Sequence, residues 1–263
     1  MARRLWSGTL SFGLVAVPVQ LVSAVRDRDI RFHEIDEKTG EPVKVRRTCE
    51  NGKKEVAWEE IGHGYELDGK QVVLSDEDLA AAAPERTRTI EIEEFVKLEE
   101  IDPAHFNHPY FLVPDSDSEG VLRAYRLLRD AIGNTGRVAI GRVVLRSKEY
   151  LVAVREREDL LSLTTMLFAD EIRDPREIDA VPSGNAGKPG RGEVAQALKV
   201  IDAMSRDFDP SRYEDCHRSR LMKLIQKKRR TGEVEMPELE AEPTPVPDLM
   251  AALKESLARA RRA

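Results

Sequence analysis

Alternation of apolar and polar residues, broken at short intervals by turn residues, limits the fold of this chain more than any other feature. Trp6, Gly8, Leu10 and Phe12 alternate with Ser7, Thr9 and Ser11, and Val17, Val19 and Leu21 repeat the pattern after Pro18. A period of two sends one set of side chains to a core and the other to water, as in a half-buried strand. Similar segments follow at "IRFHEI", Val43 to Thr48, "GKQVVLS", "TIEIEEFV", "YFLVP", "GRVAIGRVVLRS", "YLVAVRER" and "LLSLTTMLF". Lys38-Thr39-Gly40, Asn51-Gly52 and Asp68-Gly69 punctuate them as turns, so the pattern predicts a β-barrel or a β-sandwich.

The fold class expected is mainly β with α. One helix interrupts the strands: Val121, Leu122, Tyr125, Leu128 and Ile132 recur at helical spacing, Gly133-Asn134 supplies a stop, and the helix is expected to pack on the β core. The Gly- and Pro-rich stretch Val181 to Gly192 ends the β region. Beyond it, Val194, Ala197, Leu198, Ile201 and Met204 form one helical stripe, and Asp209-Pro210 opens a second helix carrying Tyr213, Cys216, Leu221, Leu224 and Ile225. "EVEMPELEAEPTPVP" reads as an acidic, disordered linker. The last segment, from Asp248, forms a short amphipathic helix through Leu249, Leu253 and Leu257 that at this length needs a partner to fold on. These features divide the chain into a β core at 1–184, a helical region at 185–232 and a partner-binding tail at 233–263.

Several function classes are disfavoured. No apolar run approaches the roughly 20 residues that span a bilayer. Cys49 and Cys216 are too few and too far apart for a disulfide framework, which points to a reducing cytoplasm. Gly187-Lys188 hints at a phosphate loop, but Pro189 stands where Ser or Thr is required. His105 and His108 have a metal-like spacing without Cys or carboxylates in ligand register, and read better as loop residues. The acidic run from Glu91 to Asp102 is a solvated strand face rather than a pair of catalytic carboxylates. No nucleophile elbow, HExxH pattern or EF-hand loop is present, so the chain reads as a binder with no cofactor.

The chain carries 42 Lys and Arg against 48 Asp and Glu, a net charge of −6, yet Lys44, Arg46, Arg47, Lys53 and Lys54 crowd together. Lys44 and Arg46 share one strand parity. Arg142, Arg146 and Lys148 share another, opposite Ala139, Gly141, Val143 and Leu145. The pattern fits phosphate binding and fits ordinary solvated faces equally well. Segregated charge lets an acidic protein hold a polyanion on one surface.

In order along the chain, "WSGTLSFGLVAVPVQLVSA", "IRFHEI", "VRRTCENGKKEV", "GYELDGKQVVLSDEDL", "RTIEIEEFV", "IDPAHFNHPYFLVPD", "GRVAIGRVVLRSKEYLVAVR" and "FADEIR" resemble the bacterial Ku family, DNA end-binding proteins of non-homologous end joining. The resemblance implies a homodimer whose Ku-type β-barrels and arched strands form a ring threaded by a double-stranded DNA end. It also implies C-terminal helices in the dimer architecture, a tail that contacts the ATP-dependent end-joining DNA ligase with polymerase activity, and a nucleoid-associated location. Glu41 to Val56 would be part of the arch, with Lys44, Arg46, Arg47, Lys53, Lys54, Arg142, Arg146 and Lys148 as phosphate ligands and Leu249, Leu253 and Leu257 as the ligase-facing residues. Arg47 has the opposite parity to Arg46, so its inclusion presumes a bulge. Two departures stand out: Gly52 replaces the second Cys of the family's Cys-x-x-Cys pair, which removes a metal or disulfide there, and no lysine-rich tail follows "ARARRA". Two other functions remain open at this point, a repair scaffold with weak general nucleic-acid binding and an undetected hydrolase or nuclease.

Overall fold

The computed structural model describes residues 4–50, 52, 54–82, 88–146, 148–178, 188–232 and 249–260. The chain divides into two compact units, residues 1–28 with 32–177 and residues 29–31 with 178–263.

Turn chemistry sets the first hairpin. Strands β1 (Arg4–Phe12) and β2 (Val15–Ser23) are joined by Gly13-Leu14, with Gly13 at φ 56°. A two-residue hairpin turn that follows the strand twist needs such a left-handed residue. The hairpin β3 (His63–Leu67) and β4 (Lys70–Leu74) uses Asp68 and Gly69 at φ 50° and 72° in the same way. Helix α1 (Asp76–Ala82) follows, and Ser75 Oγ accepts from the Asp78 amide at 3.1 Å while the Asp78 carboxylate accepts from the Ser75 amide at 2.9 Å.

Strands β5 (Thr89–Lys97), β6 (Phe106–Pro114), β7 (Arg137–Leu145), β8 (Lys148–Arg157) and β9 (Leu160–Met166) join β1 and β2 in a closed seven-stranded barrel of order β1-β2-β6-β9-β8-β7-β5. The closing pair, β1 with β5, is parallel, and the others are antiparallel. Closure leaves no barrel edge open to another chain. The alternation seen in the sequence fills the interior: Leu10, Val17, Val19, Leu21, Ile90, Leu112, Val152, Val154, Leu161 and Leu163 are fully buried.

Helix α2 (Glu119–Thr135) packs on this core through Tyr125, Leu128 and Ile132, as the stripe predicts. Tyr125 pins it: the hydroxyl donates to the Leu112 carbonyl at 2.6 Å and accepts from the Leu161 amide at 2.9 Å. The helix stops later than Gly133-Asn134 suggests. Gly136, at φ 62°, is the left-handed C-cap, while Gly133 lies inside the helix facing the Glu156 side chain.

Three further expectations are corrected. The segments "IRFHEI" and Val43 to Thr48 are not strands; only isolated bridges, Ile35 with Pro42 and Thr48 with Glu55, order them. Their valines have no second layer to face, and Val43 and Val45 are exposed. Second, from Val138 to Gly141 β7 is buried on both faces, because Val138 and Ile140 lie under Leu98, Ile101 and Phe106 in a second apolar cluster, and its exposed residues are Arg137 and Arg142. The outward parity of β7 is therefore not a cationic row. Third, the helix expected from Asp209-Pro210 begins later. Asp209 caps only a 3-10 turn at Pro210–Arg212, and Tyr213 precedes α4 (Cys216–Thr231), whose N-cap is Asp215.

In the second unit, the apolar stripe of α3 (Arg191–Met204) is as read from sequence, and α5 (Leu249–Ala260) packs against α3. Most of the Val181 to Gly192 boundary stretch and the whole proposed linker at 233–247 lie outside the described residues. Among the described residues no helix is long and apolar enough to cross a membrane, and no three His, Cys, Asp or Glu residues converge as metal ligands.

Candidate nucleic-acid interface

The cations of the opening cluster sit on two exposed loops rather than on strand faces, so the parity expected for Lys44 and Arg46 does not apply. The first loop is fastened by Asp36, whose carboxylate accepts from the amides of Lys38 at 2.8 Å and Thr39 at 3.1 Å, and by Gly40 at φ 74°. The second is closed by Cys49 and Gly52, with the Gly52 amide donating to the Cys49 carbonyl at 2.7 Å and the Cys49 amide to the Lys54 carbonyl at 3.1 Å. The turn places Gly52 at φ 67°, which supplies a physical reason for glycine at the position where the family resemblance leads one to expect a second cysteine.

Most of the predicted phosphate ligands are held by nearby side chains. Arg46 pairs with Glu55 at 3.1 Å across the Thr48–Glu55 bridge, and Lys54 pairs with Glu60 at 3.2 Å. The Arg47 guanidinium lies 4.1 Å from the Trp58 ring centroid, a cation–π contact. No strand parity constrains Arg47 on this loop, so the bulge invoked for it is unnecessary. Lys44 is exposed and has no carboxylate partner among the described residues, and Lys53 lies outside them. Exposed in the same unit are Arg26 and Lys38, which no spacing signal marks because neither belongs to a basic run.

On the barrel, Arg142 is bracketed by two acids, Glu93 at 2.9 Å and Glu149 at 3.5 Å. Glu93 reaches it because the β5–β7 register shifts between Ile92 and Glu94, a bulge that leaves Glu93 without a direct partner. Lys148 pairs with Glu171 at 3.4 Å and sits 5.3 Å from the Tyr150 ring centroid. The Glu171 carboxyl is held below the usual range, first by the Phe168 amide that donates to it and then by Lys148. Arg146 has no ion-pair partner among the described residues; it occupies the β7–β8 turn at φ 51° and lines a cavity of about 200 Å³ in the barrel unit.

The structure thus brings Arg46, Arg47 and Lys54 into one stitched loop and Arg146 and Lys148 to one hairpin turn, and leaves Arg142 by itself on β7. Sequence spacing could not show the pairing, since Glu93 and Glu171 are remote in sequence from Arg142 and Lys148. The expectation that the terminal helix folds only on a partner is also modified: Leu253 lines an apolar cavity of about 270 Å³ with Val194, Leu198 and Ile201 of α3, so α5 folds against its own chain. Leu257 is half-buried, and the Leu249 side chain lies outside the described residues.

Comparison with known proteins agrees with this architecture. Residues 11–191 match the model of the Ku70/Ku80 beta-barrel domain. The chain is 43% identical over 264 residues to the non-homologous end joining protein Ku of Anaeromyxobacter sp., covering all of this chain and 87% of that protein. It is 41% identical to the protein Ku 1 of Saccharopolyspora erythraea, covering all of this chain and 80% of that one. With the Mycobacterium tuberculosis protein of the same name, identity is 37%, over 97% of this chain and 94% of the relative. The match of residues 11–191 to that domain model, over a chain whose fold is a closed seven-stranded barrel, and similarity to these relatives along the whole chain place it in the Ku family.

Proposed function

We propose that this protein binds double-stranded DNA ends without reading sequence, as a two-copy ring, and recruits an end-joining ligase through its terminal helix. The observation that carries the reading is the exposed loop cluster of Lys44, Arg46, Arg47 and Lys54, in a chain whose relatives are named for non-homologous end joining. Loops with little packing of their own can be shaped to a duplex, and cations at their surface contact phosphates, which carry no base information.

The carboxylates do not oppose this role. An exposed ion pair contributes only about 0.2–1 kcal/mol, so a phosphate displaces Glu55 from Arg46 or Glu60 from Lys54 at small cost. Binding then releases condensed counterions from the duplex, which drives association and makes it salt-dependent. The acids hold the cations in place until DNA arrives, and they let a protein of net charge −6 keep its remaining surface repulsive to DNA. Support for a second copy comes from the α3 face, where Val194, Leu198, Ile201 and Met204 remain exposed even beside α5.

The test is the salt dependence of binding to a labelled blunt duplex. Lys44→Ala with Arg46→Ala should flatten the slope of log K against log salt by roughly 0.9 per lost contact, without altering preference among duplex sequences. An unchanged slope would favour a scaffold that touches DNA little.

A further inference from the structure

The cavity at Arg146 has a composition unlike the rest of the surface. Trp6, His108, Tyr110 and Tyr150 line it together with Asn107 and Arg146, and no carboxylate does. Among the other predicted phosphate ligands, Arg46, Lys54, Arg142 and Lys148 each have one or two carboxylates beside them.

The polar groups at this site are free to bind. The side chains of Asn107, Tyr110, Tyr150 and Arg146 line the cavity and make no hydrogen bond among the described residues, and neither half-buried phenol, Tyr110 or Tyr150, is a buried orphan, so both are open to solvent. Thr165 is already committed, since its hydroxyl accepts from the His108 amide at 3.1 Å. The donors are layered: Arg146 and Asn107 are exposed at the rim, while His108, Tyr110 and Tyr150 are half-buried, above a floor that includes Leu21. His108 and Tyr110 alternate on β6 and their ring centroids are 4.7 Å apart. Burial raises the Tyr110 phenol above its ordinary range, so it is a neutral donor at physiological pH. Arg146 also holds a left-handed backbone conformation that glycine would adopt at lower cost, and such strain collects at functional positions.

We propose that this cavity is a binding site for a single nucleotide unit, with the base against the aromatic walls and the phosphate on Arg146 at the rim. Stacking on aromatic rings recognises any base, and guanidinium and amide donors recognise the phosphate. At about 200 Å³ the space falls below the roughly 300 Å³ at which clefts for drug-sized ligands begin, so it takes one ring system and no more. The same chemistry is offered by a free nucleoside monophosphate and by an unpaired, 5′-phosphorylated nucleotide at a strand end. The site's existence does not depend on the duplex-binding reading; its use on a strand end does.

The chain contains two tryptophans, Trp6 in the cavity wall and Trp58 under Arg47, so Trp58→Phe leaves Trp6 as the sole indole reporter. Full-length Trp58→Phe protein is titrated with thymidine 5′-monophosphate, thymidine and inorganic phosphate. A saturable change in Trp6 emission is expected with the monophosphate, at least tenfold tighter than with either fragment. Arg146→Gly should weaken it at least tenfold with a melting temperature no lower, because glycine relieves the turn. No saturable change, equal binding by Arg146→Gly, or inorganic phosphate binding as tightly as the nucleotide overturns the proposal. A response to a duplex with one unpaired phosphorylated thymidine but not to a blunt duplex assigns the strand end; a response to the free nucleotide alone assigns the free pool, and both uphold the site. Anisotropy of the labelled blunt duplex with the unsubstituted chain separates the two ideas. Duplex binding with a silent Trp6 sinks the nucleotide site alone, and a responsive Trp6 without duplex binding sinks the end-binding reading alone.

Discussion

Replacing the two acids that bracket Arg142 should strengthen DNA binding. Glu93 and Glu149 lie 2.9 and 3.5 Å from the guanidinium, and all three side chains are about half exposed. Each such pair contributes about 0.2–1 kcal/mol, so freeing Arg142 from both removes about 0.4–2 kcal/mol of competition with phosphate. Glu93→Gln with Glu149→Gln keeps the shapes and should tighten binding about 2- to 30-fold at fixed salt, on a scale where 1.4 kcal/mol is tenfold. If Arg142 then gains a phosphate contact that it lacks in the native chain, the salt slope steepens by roughly 0.9 as well. The assay is duplex anisotropy across a salt series, with a melting curve to show that the barrel is intact. Unchanged affinity and slope would refute Arg142 as a phosphate ligand. Weaker binding would show that the pairs position Arg142 rather than compete for it.

Three predictions concern the barrel that carries the site. Tyr125→Phe should cost about 2–4 kcal/mol in chemical denaturation, because it orphans the buried Leu161 amide and removes a donor from the Leu112 carbonyl; a cost under about 0.5 kcal/mol would mean that water or a shift satisfies both. Burial raises the Tyr125 phenol above its ordinary range, so the contribution is complete below the unfolded value near 10 and is lost as pH climbs from there through the folded value. Stability of the native chain should therefore fall more steeply in alkali than that of Tyr125→Phe, and parallel curves would contradict the assignment. Gly141→Ala should destabilise by about 2 kcal/mol or more, since its Cβ would stand 2.1 Å from the Glu91 carbonyl oxygen, whereas Gly120→Ala meets nothing within 4 Å and should be neutral or mildly stabilising; equal melting temperatures for the two variants would refute the packing argument.

The barrel was legible because its strands repeat a strict alternation and the inward set is apolar: Leu10, Val17, Val19 and Leu21 announce their own burial. Where no such layer exists the same residue types mislead. Val43 and Val45 have strand propensity, but their loop has nothing to pack against, and propensity in strands is mostly a measure of packing. Gly133 reads as a helix stop from composition, yet the stop is Gly136, because a C-cap is set by a left-handed backbone rather than by the nearest glycine.

At the candidate site the cations themselves were legible and their partners were not. Glu93 meets Arg142 through a bulge, and Glu171 meets Lys148 from a 3-10 turn beyond β9, neither of which leaves a signal in local spacing. The ring of aromatic residues around Arg146 was likewise invisible, since Trp6, Tyr110 and Tyr150 come from three strands. One clue is present: His108 and Tyr110 share a parity in "HFNHPYF", a polar and aromatic pair at the start of β6.

The central claim, a ring threaded by a DNA end, is tested most directly by comparing a linear duplex with the same sequence closed into a relaxed circle at fixed salt. The account predicts retention on the linear form alone, with release while the ends are open and trapping when both ends are blocked after loading. Equal binding to circle and linear duplex would contradict it and leave a cationic surface that lies along DNA.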